Sequence, residues 1–105
     1  MSEPLNILVT FRHTEPTEAL RQHAIEKISH ALNKYSIRDG VEISVTLSVE
    51  KRDHTAEVRV KSLGFDLTAK VTTEDLYSAI DQVIDPLEAQ IRKNKDKQIT
   101  AKHQA

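Results

Sequence analysis

Acidic and basic side chains are segregated in the final third of this chain. Residues 72–90 carry acidic side chains but neither Lys nor Arg, whereas residues 91–105 carry several basic side chains and a single Asp96. Local charge rather than net charge governs attraction to a polyanion, so a chain with a formal net charge of -1 can still bind one. The basic side chains that we call the late cluster are Arg92, Lys93, Lys95 and Lys97.

Two further basic groups lie earlier in the chain. One recurs at steps of four, three and four residues, which places its members on one face of a helix. The members of this helix stripe are His23, Lys27, His30 and Lys34. The other group sits in a predicted polar turn and comprises Lys51, Arg52 and His54. We interpret the three groups as one surface that follows phosphates.

Two interpretations without a ligand compete with this one. The helix stripe has the spacing of an ordinary solvated helix face. Lys and Arg in a last helical turn also stabilise the helix dipole, by about 0.3–1 kcal/mol each, without binding anything. Spacing alone does not separate these interpretations from phosphate binding.

Catalytic and metal-binding combinations are weak. Asp53, His54 and Thr55 are adjacent, and adjacent residues on a tight turn seldom converge on one atom. His23 and His30 would lie about 10 Å apart along a helix, too far to share one ion. We therefore predict no enzyme activity, no cofactor and no metal site.

The hydrophobic pattern predicts the elements that must position these groups. Apolar residues alternate with polar ones in four segments, which predicts four strands. Apolar residues recur every three or four residues in two others, which predicts two helices. The predicted order is a strand at residues 5–11, a helix after Thr17, strands at 41–49, 56–60 and 65–71, and a helix whose apolar stripe runs from Leu76 to Ile91.

This order predicts an α+β fold, a two-layer sandwich of β-α-β-β-β-α topology. A four-stranded mixed sheet would carry both helices on one face, with the first two strands parallel and the last three antiparallel. Thr72 is the predicted cap of the second helix. Pro86 predicts a kink near Asp85, or two shorter helices with the second beginning at Pro86.

Composition limits the remaining possibilities. A chain of 105 residues is one domain, which we place at residues 1–97, with residues 98–105 as a flexible tail. The absence of cysteine excludes disulfides and thiol catalysis. No apolar run approaches the ~20 residues needed to cross a bilayer, and the N-terminus lacks a secretory pattern, so we expect a cytoplasmic protein without a membrane partner.

Three segments resemble the short ribosome hibernation-promoting factors and the related ribosome-associated inhibitors. They are residues 17–21, residues 49–51 with His54 and Thr55, and residues 75–97. The resemblance extends over nearly the whole chain. It implies a fold akin to a double-stranded RNA-binding domain with an extra strand, and binding to the small ribosomal subunit in the channel used by messenger and transfer RNA.

The resemblance also carries individual residues. His30 stands where a relative would have Lys. The residues that match basic positions of the family are Lys27, Lys51, His54, Lys93, Lys95 and Lys97. The scarce aromatic residues fall mostly at inward positions, so we expect folded rRNA to be contacted through its backbone rather than single strands through stacking.

The expected function is therefore inhibition of translation in idle cells by a hibernation factor that is a monomer off the ribosome. Its expected partners are the small subunit with its rRNA, and the 70S ribosome or ribosome dimers. The alternative is a protein-interaction module that modulates transcription, through a sigma factor, by means of the acidic face of the second helix.

Overall fold

A computed structural model describes residues 6–35, 37, 40–62 and 65–104, without the side chains of Phe65 and of residues 95–104. The predicted β-α-β-β-β-α order is confirmed. The elements are β1 (Ile7–Arg12), α1 (Glu18–Lys34), β2 (Glu42–Glu50), β3 (Asp53–Ser62), β4 (Phe65–Thr73) and α2 (Leu76–Gln104).

The four strands form one mixed sheet in the order β1-β2-β3-β4. β1 pairs with β2 in parallel, and the β2–β3 and β3–β4 pairs are antiparallel. One row of buried residues crosses the whole sheet, because Val9 pairs with Val45, Val45 with Val58, and Val58 with Ala69. Since side chains alternate along a strand, this row defines the face on which the helices pack.

α1 begins where the sequence predicts. The Thr17 hydroxyl accepts a hydrogen bond from the Leu20 amide at 3.2 Å, which satisfies one of the free amides of the first turn. The helix buries the predicted apolar stripe against the sheet, and its buried members are Leu20, Ala24, Ile28, Ala31 and Leu32.

α2 begins later than predicted, because its cap is not Thr72. Thr72 is still part of β4, where it pairs with Thr55 and the two hydroxyl oxygens lie 2.9 Å apart. The cap is Asp75, whose carboxylate accepts from the Ser78 amide at 2.9 Å. The strand thus continues past Thr72 because β3 still offers it a partner.

Pro86 lies inside α2, which continues as one helix on both sides of it. The alternative of two separate helices is therefore wrong. Val83 and Leu87 are both fully buried, so the apolar stripe that holds α2 to the sheet runs through the proline. The missing amide leaves the Gln82 carbonyl without its usual helical donor.

The two helices run in parallel. Contacts between them advance together along the chain, from His23 with Asp81 to Lys34 with Glu88 and Tyr35 with Arg92. Beyond Arg92, α2 continues for about 18 Å at 1.5 Å per residue, past the end of α1. The backbone of the predicted tail is thus helical up to Gln104, and its flexibility stays a prediction.

The architecture is the predicted two-layer sandwich. Both helices cover one face of the sheet, and the opposite face carries polar and charged side chains such as Thr46, Glu57 and Lys70. Within the described residues, neither helix combines the length and the apolar character needed to span a membrane.

Candidate nucleic-acid interface

Lys51 and Arg52 form the two-residue turn between β2 and β3. Both side chains are exposed. Lys51 has a φ of 56°, a conformation that glycine adopts more easily than lysine, whereas Arg52 is not among the positive-φ residues. A positive φ at the first position alone is the φ pattern of a type II′ hairpin turn, so the hairpin presents two cations at its tip.

His54 is not in that turn, contrary to the prediction. It lies in β3 opposite Val49 and Thr73, and shares the strand parity of the buried Ala56 and Val58, so its side chain is on the helix-covered face. Its Nδ1 atom is buried and has no hydrogen-bond partner among the described residues. The strand began earlier than predicted because Glu50 pairs with Asp53 directly across the turn.

The same alternation separates the residues of the weak catalytic candidate. Asp53 and Thr55 project from the face of β3 opposite to His54. Their side chains therefore do not converge on one point. Within the described part of the chain there is also no group of three or more His, Cys, Asp or Glu side chains that could hold a metal ion.

The helix stripe of α1 faces acidic residues of α2. His23 Nε2 lies 2.8 Å from Asp81 Oδ1, and Lys27 Nζ lies 3.7 Å from the same oxygen. The His23 ring also packs edge-on against the Tyr77 ring, with centroids 5.1 Å apart. The side chain of Asp81 is 49% exposed, so this end of the contact is open to solvent.

Glu88 is the centre of the other end of this contact. Its two carboxylate oxygens lie 3.3 and 3.2 Å from Lys34 Nζ, and Arg92 Nη1 lies 3.7 Å from Oε1. The Tyr35 hydroxyl donates to Oε1 at 3.2 Å and accepts from Arg92 Nη1 at 2.8 Å. The Glu88 side chain is only 16% exposed. We call the whole contact the helix seam, formed by His23, Lys27 and Lys34 of α1 with Asp81, Glu88 and Arg92 of α2.

The other predicted site residues are placed differently. His30 and Lys93 are exposed, and neither has an ion-pair or hydrogen-bond partner among the described residues. Lys95 and Lys97 lie in the helical backbone of α2, and their side chains are outside the described part of the structure.

The structure separates two groups that the sequence analysis combined into one surface. The tip of the β2–β3 hairpin is at the end of the sheet where β4 leads into α2, since His54 pairs with Thr73. Lys93 lies 17 residues after Leu76, about 25 Å farther along the helix axis. The turn and the late cluster are therefore two separate basic patches, one near the start of α2 and one beyond its middle, not one continuous surface.

The structure pairs Asp81 and Glu88 with cations of the helix stripe, which the sequence analysis did not predict. The spacing fits this pairing, since Lys27 and Lys34 are seven residues apart, and so are Asp81 and Glu88. The predicted topology implies parallel helices, but it does not give their relative shift along the axis, so the pairing did not follow from it.

Two carboxylates elsewhere have lowered pKa values. Hydrogen bonds from the Ser78 amide and hydroxyl hold the pKa of Asp75 below its ordinary value. A hydrogen bond from Arg59 lowers the pKa of Asp66 on the helix-free face of the sheet, and the same pairing raises the pKa of Arg59. Arg59 is thus already ion-paired with Asp66 on that face.

The helix-free face of the sheet does not resemble a phosphate-binding surface. A shallow groove of about 220 Å³ there is lined by basic and acidic side chains in mixture. Its charged members are Arg12, Glu50, Glu57 and Lys70, with His13 beside them. Cations and carboxylates thus alternate on this face, whereas the hairpin tip presents two adjacent cations.

Comparison with known proteins places the chain among ribosome-associated proteins. The family model described as "Sigma 54 modulation protein / S30EA ribosomal protein" matches residues 7–99. The protein named "Ribosome hibernation promoting factor" in Escherichia coli (strain K12) is 36% identical over 93 residues, which cover 89% of this chain and 96% of that relative. Its counterpart in Pseudomonas putida is 30% identical over 94 residues, 90% of each chain.

Two solved structures share this fold. A ribosomal subunit interface protein from Coxiella burnetii aligns with a TM-score of 0.74 at 25% identity, covering 86% of this chain and 97% of that one. The N-terminal domain of Thermus thermophilus Protein Y aligns with a TM-score of 0.72 at 28% identity, covering 85% and 98%. The predicted fold class and the family resemblance are both confirmed.

Proposed function

The chain belongs to the Sigma 54 modulation protein / S30EA ribosomal protein family, and from this membership we propose that it is a ribosome hibernation factor. In this proposal it binds the small subunit in the channel used by messenger and transfer RNA and so inhibits translation in idle cells. Ribosome binding would place it in the cytoplasm. It acts as a non-catalytic protein.

The observation that carries the proposal is the position of cations at the end of α1 and on the part of α2 that follows. Lys34 lies at the end of α1, Arg92 of α2 shares its partner Glu88, and Lys93 is the next residue of α2. Lys95 and Lys97 follow along the part of α2 that extends past α1. A projecting helix that carries successive cations can reach rRNA phosphates inside a channel, where a flat surface could not.

The proposed mechanism is steric exclusion. Phosphate contacts from the late cluster and from the hairpin tip at Lys51 and Arg52 would hold the domain at two separate points. Because these contacts are to the RNA backbone, recognition depends on the shape of the rRNA surface. A rigid domain held there occupies the path of messenger and transfer RNA.

The transcriptional alternative is less well supported. It requires a free acidic face on α2, yet Asp81 and Glu88 of that face are already paired with cations of α1. A partner that used this face would have to break the helix seam. We therefore do not retain this alternative as a second candidate.

The proposal is tested by sedimentation of the purified protein with small ribosomal subunits at increasing salt. Wild type should comigrate with subunits at low salt and dissociate steeply as salt rises. A variant with Lys93→Glu, Lys95→Glu and Lys97→Glu should stay in the free fractions while its circular dichroism spectrum is unchanged.

A control reverses two charges on the helix-free face, with Lys61→Glu and Lys70→Glu. These side chains are exposed and lie on the opposite face of the sheet. The control variant should still comigrate with subunits. Full binding by the late-cluster variant would refute the assignment of that surface, and confinement of wild type to free fractions would refute the proposed function.

A separate experiment addresses the oligomeric state of the free protein. We propose that the protein is a monomer off the ribosome and that its larger partner is the 70S ribosome or a ribosome dimer. Analytical ultracentrifugation of the free protein should give the mass of one chain, 11.9 kDa.

A further inference from the structure

The helix seam contains a half-buried carboxylate surrounded by cations. Glu88 is 16% exposed, whereas its partners Lys34 and Arg92 are 52% and 57% exposed. Burial of the acid reduces the screening of its attraction to both cations. The Glu88 carboxylate is therefore mostly buried, whereas the Lys34 and Arg92 side chains are accessible to solvent.

The donors that pair with Glu88 are those that would pair with a phosphate. Lysine and arginine bind carboxylate and phosphate oxygens through the same charge-assisted N–H bonds. Within the described residues, the contacts of Arg92 all go through Nη1, so its other guanidinium N–H groups can reach a ligand on the open side. A phosphate at the seam would therefore meet cations whose charge Glu88 already offsets in part.

We propose that Glu88 is an internal competitor of RNA phosphate, which lowers the affinity of the helix seam for RNA. This inference rests on the proposed function, because it assigns a regulating residue to the same surface. Asp81 acts in the same way on His23 and Lys27, and its effect is smaller because its side chain is 49% exposed and better screened.

The consequence for the protein is discrimination between RNA surfaces. A generic RNA that touches only the seam has to compete with Glu88 for Lys34 and Arg92. An rRNA surface that also engages the hairpin tip and the rest of the late cluster gains contacts that Glu88 does not oppose. The internal acid thus suppresses weak, non-specific attachment.

The charge of Glu88 can be removed without removing its shape. Glu88→Gln keeps the length of the side chain and an oxygen that accepts from Tyr35 and Lys34. Loss of one negative charge roughly 7 Å from a bound phosphate corresponds to about 3- to 10-fold tighter RNA binding at low salt. The plot of log affinity against log salt should also steepen, because more phosphate contacts are formed.

The matched control is Glu57→Gln. It makes the same change in net charge on the helix-free face of the sheet, away from the seam. Affinities of wild type and both variants are measured for small ribosomal subunits and for a short RNA duplex. The inference predicts tighter binding by Glu88→Gln than by Glu57→Gln to both probes.

Equal or weaker binding by Glu88→Gln to both probes overturns the inference. The two probes separate it from the proposed function, since failure of every protein to bind subunits rejects hibernation activity while the duplex still compares the variants. If Glu88→Gln does not fold, Asp81→Asn takes its place, with a smaller increase expected in the same direction. Unchanged duplex affinity of a folded Asp81→Asn then overturns the inference.

Discussion

His23 and Asp81 are separated by 58 positions in the chain, yet His23 Nε2 lies 2.8 Å from Asp81 Oδ1. This contact joins the second turn of α1 to the second turn of α2. Together with the contact of Lys34 with Glu88, it shows that the two helices lie side by side in the same direction. The strength of this pair can be measured separately from the apolar packing of the helices.

The coupling between His23 and Asp81 should be small. Their side chains are 27% and 49% exposed, and partly exposed pairs contribute roughly 0.2–1 kcal/mol. A double-mutant cycle with His23→Ala and Asp81→Ala, measured by urea unfolding, should give a coupling energy in that range. A coupling above about 2 kcal/mol would contradict the assignment of this contact as a partly exposed, screened pair.

The cap of α2 should make stability depend on acid pH. Because the folded-state pKa of Asp75 is lowered, its contribution is present above the ordinary aspartate pKa of about 4 and is lost as the pH falls through the folded value. Asp75→Asn keeps an acceptor for the Ser78 amide but does not titrate there.

The difference in melting temperature between wild type and Asp75→Asn should therefore favour wild type near neutral pH and shrink in acid. Thermal unfolding at roughly pH 7 and pH 3 measures both differences on either side of that ordinary value. A difference that is equal at the two pH values would show that the charge of Asp75 does not act on the folded state.

Pro86→Ala should stabilise the protein. The proline removes a helical hydrogen bond within α2, and its replacement restores a donor for the Gln82 carbonyl. Alanine also gives the unfolded chain more freedom, which offsets part of the gain, so we expect an increase of about 1–2 kcal/mol in the free energy of unfolding. Urea unfolding measures it.

Pro16→Ala is the matched control for this substitution. Pro16 lies outside the helices, immediately before the cap residue of α1. It should give no gain in the free energy of unfolding. A loss of stability in Pro86→Ala would mean that the helix at Pro86 is shaped for a reason other than its own hydrogen bonding.

The two basic patches should contribute independently to subunit binding. Lys93 lies about 25 Å along α2 from Leu76, and Arg52 is at the end of the sheet where α2 begins, so the axial offset is well beyond the Debye length of about 8 Å at physiological salt. The losses in binding free energy from Arg52→Ala and Lys93→Ala should therefore add within about 0.5 kcal/mol in the double variant.

The contrasting pair for that experiment is Arg92→Ala with Lys93→Ala. These neighbours act on the same region of a ligand, so their losses should not add. Equilibrium binding to small subunits at one fixed salt concentration measures all of these variants. Strong coupling between Arg52 and Lys93 would require a single ligand group that both contact.

The sequence predicted the fold well because its strands alternate cleanly. Ile43, Val45 and Leu47 of β2 are buried as the period of two requires, and the stripe of α2 is buried from Leu76 to Ile91. These patterns depend only on which side of an element faces the core.

The sequence predicted the candidate site less well because the site depends on relations between elements. His54 was predicted in the turn but lies in β3 on the covered face, because the pairing of β2 with β3 extends to Asp53. The pairing of Glu88 with Lys34 depends on how far the two parallel helices are shifted along their axes, and hydrophobic periodicity carries no information on that shift. Periodicity assigns residues to faces, but only packing shows which charged faces meet.

Because α2 follows the sheet in the chain, the order of synthesis determines when the hydrophobic core can be completed. The strands of the β2–β3–β4 meander leave the ribosome before the helix that covers their apolar face, since synthesis proceeds from the N-terminus. Val58 and Leu67 have no α2 above them until Ile80 and Leu87 have been made. Because the late cluster lies beyond those residues, a nascent chain acquires its strongest positive charge only after the segment that completes its core.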